Sequence, residues 1–482
     1  MNKEDFNIVA LVKACAKKKD LCNGTRLHDE ILERGLLTKS PFLASTLISM
    51  YARCGVLVKA QNVLEELPIR DSVTWSALIV GYAQQGCGHE ALSCFEQMKS
   101  EGFSPNAITF TGILKACGNV GSINKGEEIH KEIVSRGLME NNIVLCNALV
   151  DMYAKCGVLN KAEQVLKELR VRDVISWSSL IAGYAHHGQG EEALHCLQQM
   201  HNEGLPPNAI TYVCILKACG SIGAIDKGKH IHEEIMSTEF LDKDVVLGNA
   251  LVDMYAKCGV LEMAQQVFER LPCRDVVSWS TLISGYTQQG QYEIAFNCFE
   301  RMQGEGISPN EVTFICILKA CGITGDRDKG SKIHEDIMSR GLLEKDLLLT
   351  NALIDMYAKC GLFTKAKQIL ERLHFRNVIS WSSLIAGYAQ QGQGHEALDC
   401  FERMKNEGIS PDTVTFICVL KACGSVGAVG HGKQIHNQII SMGLIEKDIV
   451  LGTTLVDMYA KCGMLGKAQQ VIEQLPIRNV IS

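Results

Sequence analysis

The sequence predicts an all-α fold, a helical solenoid built from repeats. Two aromatic residues recur with a fixed spacing of 102 residues: a tryptophan at positions 75, 177, 279 and 381, and a tyrosine at positions 51, 153, 255, 357 and 459. Each 102-residue block divides into units of 35, 36 and 31 residues. A long fixed period that splits into units of this size is typical of helical solenoids, in which each unit contacts its neighbours.

Fourteen units follow one another over residues 5–479 with no linker between them, which predicts one continuous domain. A 36-residue unit and a 31-residue unit come first, and four trios of 35, 36 and 31 residues follow. The units are 5–40 and 41–71; 72–106, 107–142 and 143–173; 174–208, 209–244 and 245–275; 276–310, 311–346 and 347–377; and 378–412, 413–448 and 449–479. Residues 480–482 open another unit, so we expect the sequence to be a piece of a longer protein.

Each unit is predicted to form two helices. In unit 276–310 the first helix is expected from about Ser278 to Gln289, where Gly290 ends it, since glycine is favoured just past a helix. The second is expected from about Tyr292 to Met302, because its apolar residues recur at helical spacing. A glycine and a proline, Gly306 and Pro309, then turn the chain into the next unit.

Composition narrows the class of protein. The net charge of −6 argues weakly against indiscriminate nucleic-acid binding, although one groove of a solenoid can be basic while the rest is acidic. The 21 cysteines include no CxxC pair and recur in phase, so we interpret most as small buried residues and expect a reducing compartment. The sequence contains no run of 18 apolar residues, so no membrane span is predicted, and the N-terminus does not resemble a targeting peptide.

The units resemble pentatricopeptide repeats of the plant organellar class that alternates P, L and S motifs. DVISWSSLIAGYAHHGQGEEALHCLQQM (173–200) resembles the P motif, ITYVCILKACGSIGAIDKGKHIHEEIM (210–236) the L motif, and LGNALVDMYAKCGVLEMAQQVFERLPCRD (247–275) the S motif. The resemblance covers residues 5–479. It implies a right-handed α–α superhelix that binds single-stranded RNA, one nucleotide per repeat, through a few side chains.

The resemblance places two base-reading residues in each unit, the fifth residue of the first helix and the last residue of the unit. In the P-like units these pairs are Ser76/Asn106, Ser178/Asn208, Ser280/Asn310 and Ser382/Asp412. In the S-like units they are Ser45/Asp71, Asn147/Asp173, Asn249/Asp275, Asn351/Asn377 and Thr453/Asn479. Ordinary helix-start chemistry, for which Ser, Asn and Asp are also favoured, is the alternative.

Hydrogen-bond chemistry is consistent with these residue types. An ionised Asp only accepts, which suits the ring N–H of guanine or uracil, whereas Asn can donate to the bare ring nitrogen of adenine or cytosine. The family pattern adds that Ser or Thr at the fifth position selects a purine and Asn a pyrimidine. The resulting predicted target is 5′-n-G-A-n-U-A-n-U-A-n-C-G-n-A-3′.

The L-like units are expected to read bases weakly or not at all. Their pairs are Val9/Ser40, Thr111/Asn142, Val213/Asp244, Ile315/Asp346 and Ile417/Asp448. Val and Ile cannot hydrogen-bond a base edge. Thr111 with Asn142 is the exception and is compatible with adenine.

Two further sets of residues are assigned to the RNA. Apolar second positions of adjacent units are expected to sandwich a base, with core packing as the alternative; they are Phe42, Val73, Val144, Ile175, Val246, Val277, Leu348, Ile379 and Val450. One cation per trio is implied to contact phosphate, with a solvated helix face as the alternative; these are Arg53, Lys155, Lys257, Lys359 and Lys461. Five such contacts correspond to a slope of log K against log salt of about −3.5.

No enzyme, metal site or cofactor is predicted. His130, His232, His334 and His436 begin H-x-E or H-x-D strings, but the P-C-x-x-C partner of zinc deaminases is missing, so repeat packing is the better explanation. Members of this class usually select sites for C-to-U RNA editing, with deamination by a C-terminal segment or a partner. We therefore expect target recognition in a mitochondrion, or alternatively a chloroplast. An editing cofactor or deaminase subunit would contact the L-like units or the C-terminus.

Two alternatives to this function stay open at the level of sequence. One is a scaffold for protein–protein interaction, as similar hairpin arrays often are. The other is a role in RNA stabilisation, processing or splicing, which would use the same binding surface as editing.

Overall fold

The computed structural model describes residues 3–37, 41–140, 142–238, 240–343, 346–445 and 448–474, apart from the side chains of residues 3–6, 242, 243 and 474. Throughout these ranges the regular structure is α-helical, which confirms the predicted fold class. The chain divides into two compact units, Met1–Cys258 and Gly259–Ser482. The predicted opening of a further repeat at 480–482 lies outside the described residues.

The first compact unit contains helices α1 to α16. Their bounds are α1 (Lys3–Lys18), α2 (Leu21–Glu33), α3 (Pro41–Arg53), α4 (Leu57–Glu65), α5 (Ser72–Gln84), α6 (Gly88–Ser100), α7 (Ala107–Val120), α8 (Ile123–Ser135), α9 (Ile143–Lys155), α10 (Leu159–Glu168), α11 (Val174–His186), α12 (Gly190–Asn202), α13 (Ala209–Ile222), α14 (Ile225–Met236), α15 (Phe240–Lys243) and α16 (Val245–Lys257).

The second compact unit contains helices α17 to α29. Their bounds are α17 (Leu261–Arg270), α18 (Val276–Gln288), α19 (Tyr292–Gly304), α20 (Glu311–Thr324), α21 (Arg327–Ser339), α22 (Leu347–Lys359), α23 (Phe363–Arg372), α24 (Val378–Gln390), α25 (Gly394–Asn406), α26 (Thr413–Val426), α27 (Val429–Ser441), α28 (Ile449–Lys461) and α29 (Leu465–Gln474).

The repeat 276–310 shows why the helices begin and end where they do. Its first helix, α18, starts two residues earlier than predicted, because Asp275 accepts a hydrogen bond from the Ser278 N–H at 2.8 Å and caps the helix from outside. Gly290 follows with φ +74°, a left-handed conformation that glycine adopts without steric cost. The second helix, α19, starts at Tyr292 as predicted and continues to Gly304.

The core lies between two layers of helices in each compact unit. Within each compact unit, the first helices of neighbouring repeats pack side by side, as α5 does with α3 and α7, and the second helices pack on the first helices of their own repeats, as α6 does on α5. The period-marking aromatics Tyr51, Tyr255 and Trp381 are buried in this core. Within a compact unit, each repeat therefore helps to bury the apolar residues of the repeat before it.

Neighbouring first helices approach closely where a glycine faces an alanine. A Cβ added at Gly183 of α11 would lie 2.6 Å from the Ala154 Cβ of α9, closer than carbon atoms can pack. The same pairing of Gly81 with Ala52 brings α5 onto α3. These glycines set the distance between successive repeats.

The in-phase cysteines confirm the prediction of burial in part. Cys117, Cys219, Cys321 and Cys423 are fully buried, and burial raises the pKa of each thiol to about 12. In the second set, Cys360 is buried, and the cysteines at positions 54, 156, 258 and 462 are half-buried. All 21 cysteines are free thiols.

The repeated histidines take part in packing between repeats, as the sequence predicted, and their partners are the repeated tyrosines. Nδ1 of His130 lies 2.9 Å from the Tyr153 hydroxyl, and the two rings meet edge to face. The same pair recurs between α2 and α3, α14 and α16, α21 and α22, and α27 and α28. These histidines therefore join the second helix of one repeat to the first helix of the next.

Within the described ranges, no helix is long and apolar enough to cross a membrane. In the same part of the chain, no group of three or more His, Cys, Asp or Glu side chains is placed to hold a metal ion.

We expect Gly183→Ala to lower the free energy of unfolding by about 1–3 kcal/mol, because the added methyl overpacks the contact with Ala154. Gly304→Ala is the matched control: it also lies in a helix, but no atom within 4 Å would meet the new methyl. Urea denaturation of both variants is the measurement, and equal stability of the two would contradict the close-approach role of Gly183.

We also expect acid to destabilise the fold through the His–Tyr pairs. Burial lowers the pKa of His130 and His334 below the ordinary 6.5, so the folded state favours the neutral imidazole. Their contribution is complete above pH 6.5 and is lost as pH falls through 6.5 towards the lowered folded pKa. Melting temperature should drop between pH 7.5 and pH 5.5, and His130→Gln should reduce this drop, whereas substitution of the exposed His89 by Gln should not.

Candidate nucleic-acid interface

The last residue of each repeat caps the first helix of the next. Asp173 accepts a hydrogen bond from the Ser176 N–H at 2.8 Å, and the Ser176 hydroxyl closes a capping box. The same capping role belongs to Asp71, Asn106, Asn142, Asn208, Asp244, Asp275, Asn310, Asp346, Asn377, Asp412 and Asp448. The helix-start chemistry considered as the alternative is therefore present at every described repeat junction.

Capping fixes which polar atom of the side chain stays available. Oδ1 of Asn310 accepts from the Thr313 N–H at 2.9 Å and from the Thr313 hydroxyl at 2.8 Å. Since a backbone N–H requires an acceptor, the amide oxygen must face the cap, and Nδ2, a donor, is the atom that the cap does not use. In Asp412, Oδ1 accepts from Thr415 in the same way, and the remaining atom Oδ2 is an acceptor.

The fifth-position side chains are buried beside the capping residues. Ser76, Ser178 and Ser280 are only 3–7% exposed. Each hydroxyl lies 2.6 or 2.7 Å from the threonine hydroxyl at the third position of the next first helix. Oγ of Ser280 also lies 3.1 Å from Oδ1 of Asn310. The structure thus brings together the two members of the predicted reading pair.

Asparagine at the fifth position contacts the capping residue directly. Nδ2 of Asn147 lies 3.1 Å from Oδ1 and 3.2 Å from Oδ2 of Asp173, so one amide engages both carboxylate oxygens. Nδ2 of Asn351 lies 3.5 Å from Oδ1 of Asn377. Asn249 is buried in the same way. The fifth residue therefore controls the surroundings of the last one.

The other fifth-position hydroxyls also donate to their own helix, as those of Ser76, Ser178 and Ser280 do to the carbonyls four residues earlier. Ser45 donates to the Phe42 carbonyl at 2.9 Å, and Ser382 donates to the Ile379 carbonyl at 3.2 Å. Thr111 and Thr453 do the same. Two predicted last residues, Ser40 and Asn479, lie outside the described residues.

The apolar second positions are exposed, which rules out core packing as their main role. Their exposed fractions run from 45% to 64%, and they comprise Phe42, Val73, Val144, Ile175, Val246, Val277, Leu348, Ile379 and Val450. The 36-residue repeats carry equivalent exposed residues that the sequence analysis missed: Ile108, Ile210, Val312 and Val414. Their position within the repeat was the signal that could have identified them.

One cleft in the first compact unit collects all the predicted kinds of residue. It has a volume of about 250 Å³ between α3, α5 and α7. Its lining includes Ser45 and Ser76 from fifth positions, Asn106 from a last position, and Val73 and Ile108 from second positions. Arg53, predicted to contact phosphate, also lines it. A base inserted here would meet a polar edge and two apolar side chains.

The four lysines predicted to contact phosphate are ion-paired. Nζ of Lys155 lies 2.7 Å from Oδ2 of Asp151, one turn earlier on α9. Lys257, Lys359 and Lys461 pair with aspartates at the same spacing. The stem of Lys155 packs over α7 at Gly118, where an added Cβ would lie 3.2 Å from Cδ of the lysine.

Four of the five cations predicted to contact phosphate thus have an acidic partner on their own helix. At Arg53 the residue one turn earlier is Ser49, so this arginine has no aspartate at that spacing. Exposed ion pairs contribute only about 0–1 kcal/mol, so a phosphate can compete for the lysines. In each of the four pairs, the charge of the aspartate offsets that of the lysine until a ligand binds.

Comparison with known proteins assigns the family. The sequence profile of the PPR repeat family matches residues 70–119, 172–221, 274–322 and 376–425. The profile of the PPR repeat matches residues 43–71, 108–138, 144–174, 249–276, 350–378 and 453–480. Together these matches cover more than half of the chain. The chain belongs to the pentatricopeptide repeat family.

Relatives in Arabidopsis thaliana carry the same repeats along nearly the whole chain. One pentatricopeptide repeat-containing protein is 33% identical over 98% of this chain and 68% of its own length. A chloroplastic relative is 33% identical over 98% of this chain, and a mitochondrial relative is 34% identical over 95%. The chain spans 57% and 44% of the lengths of these last two proteins.

A solved pentatricopeptide repeat structure shares the fold. The crystal structure of PPR10, in complex with an 18-nucleotide psaJ RNA element, superimposes with a TM-score of 0.59 over 97% of this chain and 73% of PPR10. Sequence identity between the two is 18%, so this likeness concerns the fold alone.

Proposed function

We propose that this pentatricopeptide repeat chain binds single-stranded RNA in a sequence-specific manner, one nucleotide per repeat. The proposal rests on the two roles of the last residue of each repeat: one atom of its side chain caps the next helix, and a second polar atom can face a base. Capping consumes one side-chain oxygen and leaves a donor in Asn310 but an acceptor in Asp412, beside exposed apolar second positions. The family membership and the fold shared with PPR10 support the same function.

The available atom determines which base edge fits. The donor Nδ2 of asparagine matches N1 of adenine or N3 of cytosine, and the acceptor Oδ2 of aspartate matches N1–H of guanine or N3–H of uracil. The buried fifth residue acts on this atom: Asn147 engages both oxygens of Asp173, whereas Ser280 engages only the capping oxygen of Asn310. The proposed target is 5′-n-G-A-n-U-A-n-U-A-n-C-G-n-A-3′.

Stacking and charge supply the sequence-independent part of the affinity. Exposed side chains such as Val73 and Ile108 flank the cleft from adjacent repeats, so a base can be held between them. Arg53 and the repeated lysines are proposed to contact the phosphates. The 36-residue repeats also have exposed apolar second positions. Their fifth-position residues Val213, Ile315 and Ile417 cannot hydrogen-bond a base edge, so these repeats are proposed to contribute stacking without base selection.

We further propose that the chain is the target-recognition part of an organellar C-to-U editing factor of the P, L and S class. Its relatives include proteins named as chloroplastic and as mitochondrial, and we favour the mitochondrion. Deamination would come from another segment or from a partner subunit that contacts the 36-residue repeats or the C-terminus.

Binding to the predicted RNA is the direct test of sequence specificity. A labelled 14-mer of the proposed sequence should bind more tightly than a scrambled 14-mer of the same composition in a fluorescence anisotropy titration at fixed salt. Equally weak binding of both RNAs would favour the protein-interaction scaffold instead.

The double substitution Ser280→Asn with Asn310→Asp should change the preferred ninth nucleotide from A to U. A base-edge pair discriminates by about 1–3 kcal/mol, so the preference should shift at least several-fold. The comparison is between two 14-mers that differ only at this nucleotide. Because Asp caps a helix as well as Asn, the fold is retained, and an unchanged preference for A would refute the assigned pair.

Removing the aspartates that hold the lysines should strengthen RNA binding. In a variant with Asp151, Asp253, Asp355 and Asp457 each changed to Asn, the lysines have no carboxylate one turn away. The affinity for RNA should rise, and the slope of log K against log salt should steepen towards about −0.7 per phosphate contact.

The control for this variant is Glu163→Gln, which breaks a similarly spaced ion pair with Lys167 on the second helix α10. We expect this change to leave the slope unaltered. If the aspartate substitutions affect the slope no more than the control does, the lysines do not contact phosphate.

A further inference from the structure

A pocket of about 1000 Å³ opens where repeat 174–208 meets repeat 209–244, within the first compact unit. Its lining includes His201, Pro207, Tyr212, Glu234 and Thr238. The aromatic ring, the carboxylate and the proline come from three different helices or turns. The equivalent position in two other 36-residue repeats shows which group binds between an aromatic ring, a carboxylate and a proline carbonyl.

In the preceding trio the same place is filled by an arginine of the chain itself. The Arg136 guanidinium lies over the Phe110 ring, with Cζ 5.3 Å from the ring centroid. It donates to the Pro105 carbonyl at 3.0 Å and to the Glu132 carboxylate. An aromatic face, a carbonyl and a carboxylate therefore surround one guanidinium.

The following trio repeats this arrangement. The Arg340 guanidinium lies over the Phe314 ring at 5.3 Å and donates to the Pro309 carbonyl at 3.3 Å. It also donates to both carboxylate oxygens of Asp336, at 2.8 and 2.9 Å. Paired contacts of this kind are the preferred geometry between arginine and a carboxylate.

In the pocket the arginine is missing but its partners are not. Thr238 stands where three of the other four 36-residue repeats have arginine, at positions 34, 136 and 340, and its side chain is too short to reach across. Tyr212 takes the place of the phenylalanine, Glu234 that of the carboxylate, and Pro207 that of the proline. The opening left by the missing side chain has the guanidinium partners in its wall, together with Phe240, whose ring centroid lies 6.2 Å from that of Tyr212.

The carboxylate of Glu234 has lost its fixed positive neighbours. In the first trio Glu132 has both Arg136 and Lys99, the latter at 3.5 Å. Glu234 instead accepts a hydrogen bond from the Tyr212 hydroxyl at 2.8 Å and lies 3.3 Å from Nε2 of His201, which replaces the lysine. Both contacts use Oε1, and 29% of the Glu234 side chain is exposed.

The last 36-residue repeat provides an internal comparison. There the arginine is replaced by Met442, and the carboxylate is replaced as well, by Gln438. A repeat of this type can therefore form with neither the cation nor the acid. Glu234 is an acid retained without its arginine, so its charge is not required by the helical packing alone.

We propose that this pocket accepts an arginine side chain of a protein partner. The incoming guanidinium would lie against Tyr212, donate to Oε2 of Glu234 and reach the Pro207 carbonyl, as the chain's own arginines do in the neighbouring trios. We assign the arginine to a polypeptide because in both of those trios the occupant is an arginine held by its peptide backbone at a helix end. The proposal does not depend on how the chain reads RNA.

The test uses acetyl-Gly-Arg-Gly-amide as the probe and saturation-transfer NMR on the whole chain. The matched peptide with citrulline in place of arginine has the same shape but no charge. Hydrogen bonds to charged groups are stronger than neutral ones, so the citrulline peptide should bind at least about tenfold more weakly. Absence of arginine-peptide binding, or equal binding of the two peptides, would overturn the proposal.

Two substitutions locate the site. Thr238→Arg restores the internal arginine, so it should abolish peptide binding while leaving the melting temperature equal or higher. Arg136→Thr should open an equivalent pocket in the first trio and raise the stoichiometry from one peptide to two. Undiminished binding by the T238R variant would show that the peptide binds elsewhere.

A third arm identifies the source of the guanidinium. Butylguanidinium carries the guanidinium without a peptide backbone and has the same single charge as the arginine peptide, so it should bind more weakly than the peptide. Butylguanidinium binding as tight as that of the peptide would overturn the assignment to a protein partner. RNA affinity should be unchanged in T238R, so failure of this proposal and failure of RNA recognition give separate results.

Discussion

The hydrogen bond between the last side chain of one repeat and the first turn of the next helix governs the rest of the structure. Backbone N–H groups at a helix start have no partner within the helix and need an acceptor. In every described junction an Asp or Asn provides it. The capping residue belongs to the previous repeat, so it fixes where the next repeat's first helix begins. It also holds the first turn of that helix against the fifth-position residue of the previous repeat.

Much of this arrangement follows from the sequence. The period predicted the fold, and Gly290 and Tyr292 predicted the turn between two helices. The capping role of Asp275 moved the helix start by two residues, since a cap lies just outside the helix it begins. The ion pair of Lys155 with Asp151 also had a sequence signal, because residues four apart share one face of a helix.

Other features depend on packing between repeats and could not be predicted from local pattern. The burial of Ser76 requires Thr109 from the next repeat, 33 positions along the chain, at hydrogen-bond distance. The exposed line of second positions depends on which face of the first helices remains uncovered. The pocket beside Thr238 and Glu234 was not predicted, because its origin is evident only when Thr238 is compared with the arginines at the equivalent position of neighbouring repeats.

Asparagine and aspartate are interchangeable as helix caps, yet they present opposite hydrogen-bonding atoms once the cap has formed. An exchange of one for the other at Asn310 or Asp412 is therefore nearly silent for folding. Natural variation can pass through such positions without an unstable intermediate. Under the proposed reading of RNA, a lineage could in this way exchange one target sequence for another while the stability of the fold stays the same.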